Sequence, residues 1–156
     1  MKFVLMILAS AREPWAEEAA DLYKKKISHF APFDIIALKP KKSSRSDSHY
    51  KKTEESALIL ENLSSDDYVV LMDERGKKFD SIEFSKKIES ILMSSKKRAV
   101  FIIGGAFGVD ETVRQRADLV VSFSPMVFNH LLAQTMCLEQ IYRSFTIIKN
   151  LPYHNA

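Results

Sequence analysis

The chain reads as a single-domain α/β sandwich built on a mostly parallel sheet. Three observations predict it. Short, continuous apolar runs such as Phe3-Val-Leu-Met-Ile-Leu8 and Ala99-Val-Phe-Ile-Ile103 show no polar alternation, as expected of strands covered on both faces. Segments of helical periodicity separate these runs and give the order βαβαβαβαβα. Finally, 156 residues suffice for one sizeable core but not for two ordinary domains, so residues 1–156 are read as one unit without repeat or linker.

The first expected strand is 2–8. It has the look of a minimal signal peptide, with Lys2 before it and Ser10 and Ala11 after it. Its apolar core is short, however, and an acidic helical stretch follows at once, so we read a buried strand. Trp15 to about Phe30 is read as a helix with Pro14 in its first turn and Trp15, Ala19, Leu22 and Ile27 near 3.6-residue spacing. Phe33–Leu38 is the second strand, and Tyr50–Leu63 a helix with the stripe Ala57, Leu58, Leu60 and Leu63. Then come strand Tyr68–Met72, helix Ser81–Met93, strand Ala99–Ile103, short helix Asp110–Ala117 and strand Leu119–Phe123. A helix from Asn129 to about Phe145 closes the order. Its apolar residues, among them Leu131, Leu132, Met136, Ile141 and Tyr142, cover more than one face. It is either enclosed by the chain or packed against a second subunit, and we favour a homodimer.

Composition narrows the class. With 46% apolar and 28% charged residues the chain is that of a soluble globular protein, and no segment calls for a membrane. The lone Cys137 forms no internal disulfide, which fits a cytoplasmic setting. A net charge of +3 does not by itself announce a nucleic-acid partner. The distribution says more: Lys39, Lys41, Lys42, Arg45, Lys51 and Lys52 stand against Asp47 alone, a run suited to a phosphate backbone or to a solvated loop.

All four glycines fall just beyond the carboxyl ends of expected strands, where parallel α/β sheets bind ligands. Gly76 suits a turn as well as a site. Gly104, Gly105 and Gly108 form G-G-x-x-G, late in the chain, with no Lys or hydroxyl after the last glycine as a P-loop requires. Asp110 and Glu111 instead occupy the first turn of the next helix, the place an anion would take. A neutral or cationic ligand held by backbone groups is expected. No metal site is expected.

Ile103-Gly104-Gly105 with Gly108, the segment Ser122-Phe-Ser-Pro-Met-Val-Phe-Asn-His130, Leu138-Glu-Gln-Ile-Tyr-Arg143 and the closing Pro152-Tyr153-His154 together resemble the RlmH (YbeA) family. These are SPOUT-class methyltransferases that use S-adenosylmethionine to methylate N3 of a pseudouridine in large-subunit (23S) ribosomal RNA. The resemblance spans the chain and is strongest from Val69 to His154. It implies a C-terminal trefoil knot, a homodimer, and a substrate that is the large subunit or the assembled ribosome.

By the same resemblance the cofactor is held by Met72, by Gly104 and Gly105, and by the loop Phe123, Ser124, Pro125, Met126, Val127 and Phe128. The proton on pseudouridine N3 must leave as the methyl group arrives, which calls for a base or for stabilisation of the developing charge. His130, Tyr153 and His154 are the candidates. Lys41, Lys42, Arg45 and Arg143 are candidates for holding RNA, with Arg114 and Arg116 behind them. Glu139 and Arg143, at i and i+4, also make a favourable helix pair. Gln134 stands where the family commonly has Arg, Asn129 where it commonly has Pro, and the tail ends Leu151-Pro-Tyr-His-Asn-Ala156 without a closing basic residue. These departures bear on RNA affinity, and a ribosome-binding protein impaired in turnover is the alternative reading.

Overall fold

The structure, a computed structural model, describes residues 1–9, 12–41 and 47–155. Its elements are β1 (Lys2–Leu8), α1 (Pro14–Ser28), β2 (Phe33–Leu38), α2 (Ser48–Glu61), β3 (Asp67–Lys78), α3 (Ser81–Leu92), β4 (Arg98–Ile103), α4 (Glu111–Arg116), β5 (Leu119–Ser122) and α5 (His130–Ile148). The five strands form one sheet in the order β2-β1-β4-β3-β5, every pairing parallel. Side chains alternate between the two faces. Phe3, Leu5, Phe101 and Ile103 join the core under α1, α3 and α5, while Val4, Met6, Val100 and Ile102 join the core under α2 and α4. The crossovers toward the β2 edge carry α1 and α3 on one face, and those toward the β5 edge carry α2 and α4 on the other. A single crossover hand requires that arrangement.

Helix α5 lies in the middle of its layer, between α1 and α3. Cys137, Leu138, Ile141 and Phe145 are buried there, and Phe145 packs edge-on to Phe3 at 5.1 Å and stacks on Phe30 at 5.4 Å. Much of the multi-faced apolar pattern is thus enclosed by the chain's own helices. Burial pushes the Cys137 thiol up to about 12, so it acts as a small apolar core residue. No helix of the described residues is long and apolar enough to cross a membrane.

Two expected stripes differ from the observed ones. On α1 the buried residues are Ala16 and Ile27, with Ala20, Tyr23 and Phe30 packed beside them, while Trp15 and Leu22 stay exposed. The buried face of α1 is set by its packing on α5 and β2, and Trp15 and Leu22 turn outward. On α2 it is Ser56 and Ile59 that are buried, and Ala57 is exposed.

Strand β3 runs six residues past its expected end. Its register breaks between Met72 and Lys77, which both face Val121, so Asp73 to Gly76 arch away from the sheet before the strand rejoins β5. Gly76 makes the return possible, because a Cβ there would stand 2.7 Å from backbone atoms of Val120 and Val121. Gly76→Ala must therefore separate two backbones, and thermal or chemical denaturation is expected to show a loss of about 2 kcal/mol.

Candidate functional site

The loops that leave β3, β4 and β5 converge at the carboxyl end of the sheet and enclose a cavity of about 650 Å³. Met72 and the Asp73–Arg75 arch form one wall, Ile103 to Gly108 a second, and Phe123, Ser124 and Met126 to Phe128 a third. His130 and Ala133 close it from the first turns of α5. Of the residues expected at a cofactor site, Met72, Gly104, Gly105, Phe123, Ser124, Met126, Val127 and Phe128 all line this cavity, while Pro125 stands in the same loop outside its lining.

Local chemistry fixes each wall. The glycine loop closes on itself through a bridge between Gly105 and Gly108, whose φ of +72° a side chain would rarely tolerate. Asp110 caps α4, accepting from the backbone N–H groups of Thr112 and Val113, so a side-chain carboxylate holds the anion position, as its sequence place implied. In the third wall, the Ser124 hydroxyl accepts from Met126 N–H at 3.0 Å and Ser122 Oγ donates to the Ser124 carbonyl at 3.0 Å. Asn129 is the N-cap of α5, accepting from Leu131 N–H at 2.9 Å. The Asn at this position thus sets the direction of the helix that carries His130.

Three contributors were not placed at this site by the sequence, Lys52 being expected only as part of the basic run. Asp73 faces the cavity and is gripped by Arg114 Nη2 at 2.5 Å and by Arg75 through its backbone N–H at 2.9 Å and Nε at 3.2 Å. Burial opposes its ionisation, but these bonds outweigh it and hold the carboxyl down to about 2. Arg114 is therefore a structural partner of this wall. Lys52, on α2, lines the cavity, and Glu55, one turn on, fills the space that a side chain at Gly105 would need. Its buried Oε2 has no hydrogen-bond partner among the described residues, and burial raises this carboxyl above its ordinary value. The i, i+3 spacing of Lys52 and Glu55 beside the buried Ser56 was the available clue, masked by the expected Ala57/Leu58 stripe.

Tyr153 and His154 are elsewhere. Helix α5 ends in a Schellman turn: Asn150 takes φ +53°, its N–H reaches Ile147 O at 3.0 Å, and Leu151 N–H reaches Thr146 O at 2.8 Å. The tail is thereby folded back onto α5. Tyr153 donates its hydroxyl to Glu139 Oε1 at 3.0 Å and meets Tyr142 edge-on at 4.9 Å. Arg143 donates to Glu139 at 2.6 Å, covers the Tyr153 ring at 4.8 Å and touches His154 Nδ1 at 3.2 Å. Burial, then the Glu139 bond, push the Tyr153 phenol above its ordinary range, which makes it a hydrogen-bond donor and a poor base. Glu139, which holds the Tyr153 hydroxyl, is nine residues from His130 on one helix, about 14 Å at 1.5 Å per residue, and neither Tyr153 nor His154 lines the cavity. Within one protomer the tail and the cavity are separate.

Of the residues expected to hold RNA, Lys41 is exposed and Arg143 is engaged as above, whereas Lys42 and Arg45 lie outside the described residues. Among the described residues no group of three or more His, Cys, Asp or Glu side chains could hold a metal ion.

A parallel sheet with one cavity framed by backbone loops at its carboxyl edge defines an α/β protein that binds a small organic cofactor. The family model described as "Predicted SPOUT methyltransferase" matches residues 1–154, and the chain belongs to this family. It is 70% identical over 155 residues to the "Ribosomal RNA large subunit methyltransferase H" of Bdellovibrio bacteriovorus, covering 99% of each chain. The protein of that name from Syntrophotalea carbinolica is 36% identical over 155 residues, again with 99% of each covered. Among solved structures, a probable methylase family protein from Haemophilus influenzae Rd KW20 has a similar fold, with TM-score 0.54 at 12% identity, 96% of this chain and 66% of that one being covered.

Proposed function

We propose that the protein is an S-adenosylmethionine-dependent methyltransferase acting on N3 of a pseudouridine in large-subunit ribosomal RNA, in the cytoplasm and as a homodimer. The observation that carries this reading is the cavity of three backbone loops in a chain 70% identical to a protein named as a ribosomal RNA large subunit methyltransferase.

The residues present fit the cofactor. A cavity of about 650 Å³ lies in the range that holds ligands of this size. Its walls offer backbone N–H and C=O groups between apolar side chains, suited to an adenine edge. The Asp110 cap makes the glycine loop a poor phosphate cradle and leaves it open to a cationic ligand. Gly104, Gly105 and the Phe123–Phe128 loop would hold the adenosine portion, and Met72 would pack against it.

Bound S-adenosylmethionine supplies an activated methyl group. The protein's share is to seat the acceptor base in line, exclude water and manage the N3 proton. His130, which lines the cavity at the start of α5, would accept that proton. Tyr153 suits a donor role toward a uracil oxygen as negative charge develops, with His154 and Arg143 beside it. Because Tyr153, His154 and Arg143 stand outside the lining of their own protomer's cavity, a second subunit's tail would supply these groups. The exposed Trp15 and Leu22, seven residues apart on one face of α1, provide an apolar surface for such a partner. A trefoil knot threading α5 belongs to the same reading, and the return of β5 beside β3 accords with it.

Calorimetry with S-adenosylmethionine, followed by incubation of labelled cofactor with ribosomes lacking the modification, tests the proposal. Binding and transfer to N3 are the expected results. Absence of binding would overturn the cofactor assignment, and binding without transfer would favour a ribosome-binding protein impaired in turnover.

A further inference from the structure

A second cavity, of about 340 Å³, opens between the start of α3 and the middle of α5. Phe123 lines both cavities, so one aromatic wall divides them. Phe79, Phe84 and Met136 give the second cavity an apolar floor, and its polar residues are already engaged: Ser81 Oγ donates to Gln140 Oε1 at 3.0 Å, and Ser122 bonds the Ser124 carbonyl. Asp80 and Glu83 turn their carboxylates onto the α3 backbone as a capping box, so the N–H groups of Asp80 and Glu83 are already bonded.

The rim has a distinct character. Lys77 Nζ lies 5.2 Å and Lys87 Nζ 6.0 Å from the centre of the half-buried Phe79 ring. Lys78 and Lys86 flank them, and none of the four forms an ion pair within 4 Å among the described residues. Two of these cations sit on the β3 extension that Gly76 clamps to β5, so they are held on rigid backbone. Ammonium groups over an aromatic ring, beside a base-sized hollow, match what single-stranded nucleic acid offers: a phosphate for the cations and a π-face for the ring. A second copy of the chain is a poor occupant, because a two-fold contact through this face would bring like charges together.

We propose that this cavity is a second nucleotide subsite, in which an unpaired base of the RNA takes the place of a lysine ammonium on the Phe79 ring while Lys77 and Lys87 turn to the adjoining phosphate. It rests on the reading of the protein as an RNA methyltransferase and adds a specificity contact next to the cofactor site. The nucleotide held there is a neighbour of the modified one, since Phe123 separates the cavity from the methyl donor's place.

The test compares wild type with Phe79→Ala, Phe79→Tyr and the double variant Lys77→Ala/Lys87→Ala. Steady-state methylation of ribosomes lacking the modification is measured alongside calorimetry with S-adenosylmethionine. Phe79→Ala is expected to raise KM for ribosomes about tenfold, the lower end for loss of one stacked base, with kcat and cofactor affinity unchanged. Phe79→Tyr should restore KM. The lysine variant should flatten the salt dependence of ribosome binding by about 0.7 for each phosphate it no longer neutralises. Unchanged KM in both Phe79→Ala and the lysine variant would overturn the subsite. So would a parallel fall of kcat and cofactor affinity, which marks a structural role, or a changed oligomeric state, which marks a protein interface. If wild type binds cofactor yet methylates nothing, the function reading fails separately, and the subsite is decided by fluorescence anisotropy with a single-stranded oligoribonucleotide. Equal binding by wild type and the lysine variant then refutes it.

Discussion

Removing residues 152–156 is expected to lower methyl transfer by about a hundredfold or more while leaving S-adenosylmethionine affinity unchanged. The split follows from geometry. Tyr153 and His154 are anchored on Tyr142, Arg143 and Glu139, none of which lines the cavity, so their loss leaves the cofactor walls intact. If a partner's tail completes the acceptor site, losing a positioned donor and proton-handling group removes a factor of about 10² to 10⁴ in rate. Mixing the truncated protein with a His130→Ala protein sharpens the test. Each subunit then lacks what the other keeps, and activity recovered in mixed dimers requires a site shared between subunits. Full activity of the truncated protein alone would remove Tyr153 and His154 from the chemistry.

The second large effect is expected at Asp73. Its side chain is only 10% exposed and is held by Arg114, itself 19% exposed. Asp73→Ala leaves that guanidinium with only the exposed Glu111, 3.7 Å away, as an acid, and a loss of about 3 kcal/mol in denaturant unfolding is expected, the low end for breaking a buried pair. Cofactor affinity should fall with it, because the arch from Asp73 to Gly76 frames the cavity. The pH dependence has a definite sign. The carboxyl stands at about 2 in the folded chain against an ordinary 3.8, so folding favours its ionised form. The stabilisation, about 2 kcal/mol, is fully present above roughly pH 4 and is lost as pH falls toward about 2. The stability gap between wild type and Asp73→Ala should therefore narrow across that interval, and a constant gap would contradict the assignment.

Most of the element order was legible because buried strands announce themselves as unbroken apolar runs. Phe33–Leu38 was read with the bounds it has in the fold. Periodicity failed where packing decides between equivalent apolar faces. Trp15 and Ala16 are neighbours in sequence, and only the packing of α1 on α5 and β2 decides which of them is buried. The extension of β3 was hidden because Asp73-Glu-Arg-Gly76 reads as a turn, whereas the chain uses it as an arch and returns to pair with β5. The cofactor loops were visible through glycine placement and family resemblance. The Asp73–Arg114 pair joins residues 41 positions apart, and local spacing carries no trace of it.

The packing of Phe3 against Phe101 and Phe145 has a consequence for biogenesis. The first strand finds its final aromatic partner within the last dozen residues, so the layer formed by α1, α3 and α5 cannot close on a growing chain. Such non-local closure slows folding and delays it until α5 has been synthesised. A fragment stopping at residue 128 is expected to stay sensitive to protease, and a resistant one would show that the core closes without α5. An enzyme of ribosomes would then acquire its own native state only once α5 has emerged from the ribosome that makes it.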